Sequence, residues 1–218
     1  MRASRLAIVR RPLPLALGLL LLAACGGNGG SSTAGLATQT KASSSTGCPV
    51  TGRQVSFPRL DPSKTYTVSV DTSLGSFAFP LDVKDSPCTT SSFASLVRKH
   101  FFDGLIFHRI VPGFVIQGGD PKGNGTGGPG YTVVDTPPSD ATYKRGTVAM
   151  AKASVEPPGT SGSQFFIVTG ADAGLPPDYA LLGKVTKGLA VVERIGRLGN
   201  AQEQPTRRIV IRRMTLAP

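Results

Sequence analysis

The residues best suited to chemistry concentrate in one run, Phe107-His108-Arg109-Ile110-Val111-Pro112-Gly113-Phe114-Val115-Ile116-Gln117-Gly118-Gly119-Asp120. Arg109, Phe114 and Gln117 lie among β-branched residues that favour strands, and Pro112-Gly113 predicts a bend between them. Side chains alternate faces along an extended chain, so Arg109 and Gln117 share parity on either side of that bend. The run offers fixed polar donors beside an apolar wall and no obvious nucleophile.

The surrounding pattern must position these groups. Tyr66, Val68 and Val70 alternate with Thr67 and Ser69, and Phe77, Phe79 and Leu81 repeat the pattern after Gly75, predicting a hairpin. Ser86-Pro87 predicts a helix start, with Ser86 as cap and Pro87 at the first helical position. Phe93, Leu96 and Val97 then share one helical face, and the helix should end before Asp103-Gly104. A second helix is expected around residues 188–195, burying Leu189, Val192 and Ile195. Ile209 and Ile211, alternating with Arg208, Val210 and Arg212, read as a closing strand. Many short strands, two helices, 27 glycines and 18 prolines point to a mainly β protein, and specifically to a closed antiparallel barrel. The segment 120–147 should be its least regular part.

Several motifs carry less than their form suggests. Gly123-Asn124-Gly125-Thr126-Gly127-Gly128 matches a dinucleotide fingerprint in letters only, because Pro129-Gly130 follows where a helix should open. Gly159-Thr160-Ser161-Gly162-Ser163 lacks nucleophile-elbow spacing and reads as a turn. Two histidines, His100 and His108, with no clustered partners argue against a metal site, and no cofactor is expected.

Residues 1–24 read as a secretion signal: a basic start, then an apolar run from Leu13 to Ala24, too short for a comfortable membrane span. It closes on Leu22-Ala23-Ala24-Cys25-Gly26, which resembles the bacterial lipobox and implies lipidation of Cys25. The expected location is the extracytoplasmic face of a bacterial cell membrane, where more than one acyl chain anchors stably. Residues 26–46, rich in Gly, Ser, Thr and Ala, read as a flexible tether beginning at Cys25, ahead of one folded domain over 47–218. The formal charge of +11 includes four arginines in the leader, which holds no acid, so +7 remains. No basic stripe interleaved with aromatics accompanies it, so nucleic acid is not an expected partner. Cys48 and Cys88 are an even pair in an exported chain and predict a disulfide, with two separate buried thiols as the alternative.

Four blocks together resemble the cyclophilin family of peptidyl-prolyl isomerases, in the family's order. They are the Phe107–Asp120 run, Gly146-Thr147-Val148-Ala149-Met150-Ala151, Gly162-Ser163-Gln164-Phe165-Phe166-Ile167 and Leu182-Gly183-Lys184-Val185. The resemblance spans roughly residues 64–216. It implies an eight-stranded barrel capped by two helices, and an isomerase working as a monomer on proline-containing segments of exported proteins. The same groove serving as a proline-segment-binding chaperone or surface interaction module, with incidental turnover, is the alternative.

By that resemblance Arg109 faces the rotating bond and Gln117 orients it or holds the substrate carbonyl. Phe114, Met150, Phe166 and Leu175 form the proline socket, although each alone would pass for core. Gln164 lines the adjoining groove, the main chain at Ala151 and Lys152 grips the peptide, and Tyr179 closes the pocket where many eukaryotic members have histidine. Lys152 stands where those members often have asparagine. Gly174 stands where cyclosporin-sensitive members carry tryptophan, which implies weak cyclosporin binding. Because isomerisation moves no proton, His108 reads as a hydrogen-bonded framework residue instead of a general base.

Overall fold

A computed structural model describes residues 47–218. The expected leader, the expected lipidation site Cys25 and the expected tether lie outside the described residues. The domain is mainly β with two helices. The expected hairpin is β2 (Thr67–Thr72) and β3 (Gly75–Pro80), paired antiparallel, with Val68, Val70, Phe77 and Phe79 buried on one face. Strands β4 (Arg109–Val111), β5 (Val115–Gly118), β7 (Thr147–Met150), β9 (Phe165–Val168) and β10 (Leu181–Lys184) make a five-stranded sheet in the order β10-β7-β9-β5-β4. The C-terminal β11 (Ile211–Ala217) pairs with β2 to complete a sheet ordered β11-β2-β3. Ile209 precedes that strand and is fully buried, accepting from Phe107 N–H through its carbonyl. A third sheet joins β1 (Thr51–Gly52), β6 (Tyr131–Val134) and β8 (Thr160–Ser161), so the irregular 120–147 segment does contain one strand.

Helix α1 (Pro87–Arg98) starts where Ser86-Pro87 predicts, but Ser86 does not cap it through its side chain. Its hydroxyl is buried without a hydrogen-bond partner among the described residues. The free Thr89 N–H instead donates to the Asp135 carboxylate at 2.5 Å, a cap supplied from the loop after β6. The helix is not amphipathic in the expected sense, because every residue from Cys88 to Val97 is buried. Its apolar face meets the sheets through Phe93, whose ring lies 4.8 Å from Phe102 and 5.8 Å, edge-on, from Phe165. Its polar face is covered by the N-terminal arm and β6. There Ser91 Oγ accepts from Leu60 N–H (3.0 Å), and Ser92 Oγ pairs with the Tyr131 hydroxyl (3.0 Å). These two buried hydroxyls are tolerated because each finds a partner. Helix α2 (Leu189–Gly196) buries Val192 and Ile195 and starts at Gly188, whose left-handed backbone (φ +74°) brings it against Ser76 and Phe77. Leu189 is only partly buried.

Cys48 and Cys88 form the expected disulfide, with Cα atoms 5.5 Å apart, which ties the arm before β1 to the first turn of α1. The bridge closes a loop with a sequence separation of 40. Cys88→Ser should therefore cost about 2–4 kcal/mol of stability by loss of the loop constraint on the unfolded chain. Chemical denaturation of both proteins, with and without reductant, checks this: reductant should lower the wild-type midpoint and leave the variant unmoved.

Candidate active site

Strand parity builds the site. In the antiparallel ladder Arg109 on β4 sits directly opposite Gln117 on β5, and Val111 opposite Val115. Gln117 in turn faces Phe166 on β9, Val115 faces Val168, and Phe166 faces Ala149 on β7. Directly opposed residues share a face, so Arg109, Gln117, Val115, Phe166 and Ala149 line one surface of the five-stranded sheet. The other surface carries Ile110, Ile116, Ile167, Phe165 and Met150 into the main core. The β4–β5 bend is made by Pro112 and Gly113, the latter at φ +74°.

The apolar part of the site is a cluster of Val115, Tyr143, Ala149, Phe166 and Val168, against which Phe114, Leu175, Tyr179 and Ala151 pack half-buried. Rings of Phe166, Tyr143 and Tyr179 meet edge-on or tilted at 5.4–6.1 Å. The Tyr143 hydroxyl locks the wall by donating to Tyr179 O (2.7 Å) and accepting from Tyr179 N–H (2.9 Å). Met150 does not join them. It is 1% exposed and faces Phe165 on the core side, because it is one residue out of phase with Ala149 and Ala151. Val115, which shares parity with Gln117, stands on the site side instead. Alternation within Thr147–Met150 was the available signal.

A chain of hydrogen bonds runs along the polar edge. Gln164 donates from Nε2 to Gly125 O and Gly127 O, both at 2.9 Å, and accepts from Gln117 Nε2 through Oε1 at 3.0 Å. Gln117 Oε1 accepts from Arg109 Nη1 at 3.4 Å. The far side of the guanidinium donates from Nε to Glu203 Oε2 at 2.7 Å. Glu203 lies 94 residues away in the loop before β11, and no local sequence pattern points to it. The 119–127 loop that holds Gln164 is organised by Asp120, which is 1% exposed. Burial pushes its carboxyl up, but N–H donors from Lys122, Asn124 and Gly125 outweigh this and hold its pKa below the ordinary value.

The gripping roles expected of Ala151 and Lys152 are constrained. Ala151 N–H already donates to Gln164 O at 2.9 Å. The Lys152 side chain is 4% exposed, donates to Glu156 O at 3.0 Å and lies 5.6 Å from the centre of the Tyr179 ring, so it braces the loop. Beside these residues opens a cavity of about 740 Å³, whose lining includes Gln117, Ala151 and Gln164 together with Thr51 and Gly52 of β1. Gly174 is exposed and faces open space. Among the described residues no group of three or more His, Cys, Asp or Glu is placed to hold a metal.

Matches to known proteins agree with this arrangement. The family model described as cyclophilin type peptidyl-prolyl cis-trans isomerase matches residues 67–216. The chain belongs to the cyclophilin-type isomerase family. A probable peptidyl-prolyl cis-trans isomerase B of Mycobacterium tuberculosis is 38% identical over 170 residues, covering 68% of this chain and 54% of that protein. The chain thus spans about half the length of this mycobacterial relative. Peptidyl-prolyl cis-trans isomerase B of Bacillus subtilis is 46% identical over 112 residues, 51% of this chain and 76% of that one. A crystal structure of a Cryptosporidium parvum cyclophilin-type isomerase, in the presence of the dipeptide Ala-Pro, superposes with a TM-score of 0.63 at 29% identity. It covers 70% of this chain and 99% of that chain.

In this cyclophilin domain His108 is not the hydrogen-bonded framework residue expected. Both ring nitrogens are buried without a hydrogen-bond partner among the described residues. Burial lowers its pKa, against the raising effect of Asp120 and with Arg109 adding to the depression. The native ring stays neutral where an unfolded chain binds a proton. Stability from this residue is therefore full above the unfolded pKa of about 6.5 and lost as pH falls below it toward the native value. His108→Gln should flatten the decline of melting temperature between pH 7 and pH 5. Parallel wild-type and variant curves would contradict the assignment.

Proposed function

We propose that the chain catalyses cis–trans isomerisation of X-Pro peptide bonds in exported proteins. The observation that carries this reading is the guanidinium of Arg109, held on the same sheet face as the aromatic hollow. A peptide bond resists rotation with a barrier of about 18–20 kcal/mol, because conjugation gives its C–N bond double-bond character. X-Pro bonds populate both isomers and exchange over tens to hundreds of seconds. At the twisted transition state conjugation is lost and the prolyl nitrogen regains a lone pair. A donor aimed at that nitrogen binds the twisted form more tightly than either planar form, which is the condition for catalysis. Arg109 suits the role because it is always charged, planar and multiply donating. Gln117 orients it or holds the substrate carbonyl. Phe114, Phe166 and Leu175, with Val115 beneath, receive the prolyl ring, Tyr179 closes the hollow, and Gln164 lines the groove beyond.

The scaffold reading extends to closure of the sheets into one eight-stranded barrel. Bridges from Leu81 to Gly183 and from Ile106 to Val210 support it, since they join β3 to β10 and the approach to β4 to the approach to β11. We place the domain, as a monomer, outside the cytoplasm, behind a leader at 1–24 and on a tether from a lipidated Cys25. The Leu22–Gly26 motif supports the anchor, and a disulfide fits an oxidising compartment. Cys25→Ala should move the protein from the membrane fraction to the soluble fraction of cells expressing the full chain.

Arg109→Ala should lower turnover by about 10²–10³, the scale for removing one such donor, while circular dichroism and the melting curve stay those of the wild type. A peptide isomerisation assay and a proline-limited refolding assay measure this. An unchanged rate would defeat the reading.

A further inference from the structure

Arg109 is held from two sides, and only one of them belongs to its own sheet. Gln117 is its ladder partner and accepts at 3.4 Å, a long bond. The short bond, 2.7 Å from Nε, goes to Glu203 in a loop that the strand pattern does not fix. Glu203 is one of two non-glycine residues in the described chain with positive φ, at +62°. That conformation is costly for a residue with a Cβ and persists only where surrounding bonds determine it.

Those bonds are present. Asn200 Oδ1 accepts from Gln202 N–H (3.0 Å) and Gln204 N–H (2.9 Å), and Asn200 O accepts from Glu203 N–H (3.0 Å). Ile110 N–H donates to Glu203 O at 2.8 Å, which fastens the strained residue to the strand position next to Arg109. At the root of the loop Gly199 packs so closely on Ile110 O and Pro112 that a Cβ would collide with both. The backbone of Glu203 therefore moves with β4, and its carboxylate has a fixed station beside the guanidinium.

We propose that Glu203 is a positioning residue: it takes the Nε–H of Arg109 and sets the rotation of the guanidinium, so that its remaining N–H groups address the substrate. This rests on the reading of Arg109 as the donor to the twisting bond. The pair is solvent-exposed, with side chains 35% and 49% accessible, and exposed ion pairs contribute little to stability. Its effect belongs to orientation. A planar fork with five donors is useful only when its plane is set, and Gln117 alone, at 3.4 Å, constrains one edge.

The test compares Glu203→Ala, Glu203→Gly, Glu203→Gln and Arg109→Ala in the full domain with a proline-containing peptide. Ala and Gly should lower kcat about tenfold with KM nearly unchanged, inside the roughly hundredfold cost that a 1 Å misplacement can carry. Gln, which keeps an acceptor at the same reach, should retain most of the rate. Glu203→Gly relieves the left-handed strain, so its melting temperature should equal or exceed that of the wild type while its turnover falls. A purely structural residue would not separate the two. In NMR the Arg109 Nε–H should exchange faster with water in the Ala and Gly variants. The inference is overturned if Ala and Gly keep kcat within twofold while Arg109→Ala is slow, or if Gln falls as far as Ala. If Arg109→Ala itself turns over normally, the underlying reading fails first and this one with it.

Discussion

The register of β4 against β5 is the constraint on which the site depends. With Arg109 opposite Gln117, every second residue of β5, β9 and β7 is assigned to the site and every other to the interior. A slip of one residue would exchange the two sets, placing the guanidinium in a core of Ile116, Ile167 and Phe165 and exposing that core to water. The interior face is fully apolar while the site face mixes amides, rings and a cation, so the slipped pairing has no stable version. The same burial that stabilises the domain thus selects the geometry of the candidate site.

Around that sheet the fold also places polar residues inside the protein. Helix α1 is surrounded, and Thr89, Ser91 and Ser92 are among its buried residues. Each is matched by a partner from the arm, β6 or β8, and Asp135 supplies the helix-terminal acceptor. An apolar helix would have packed as well, but hydrogen bonds are directional and fix the angle at which the third sheet sits. That sheet carries Thr51, Gly52 and Tyr131, which form the outer boundary of the cavity beside Gln117 and Gln164.

Much of this was legible in the chain. Alternation located β2 and β3, Ser86-Pro87 located the start of α1, and shared parity across Pro112-Gly113 brought Arg109 and Gln117 together. Cysteine number and export signals gave the pair Cys48–Cys88. Two kinds of feature escaped. Met150 was assigned to the socket by its neighbourhood in a resembling block, although parity with Val148 places it in the core and leaves Val115 for the site. Glu203 and Asp135 act across 94 and 46 residues, and neither carries a local signature of its own. Such partners are selected by tertiary geometry, and neither periodicity nor propensity encodes which distant loop will arrive. His108 is the complementary case: a polar residue type suggested partners, and burial removed them.

The disulfide also decides how the domain bears load. Tension arriving along the chain from before residue 47 meets a covalent branch at Cys48, and part of it passes straight into α1. That helix is gripped along ten consecutive buried residues, whereas β1 is held to β6 by only two pairs. Without the bridge, a tug on the leading end would load the short strand at the wall of the cavity first; with it, the pull is shared with a helix buried along ten consecutive residues.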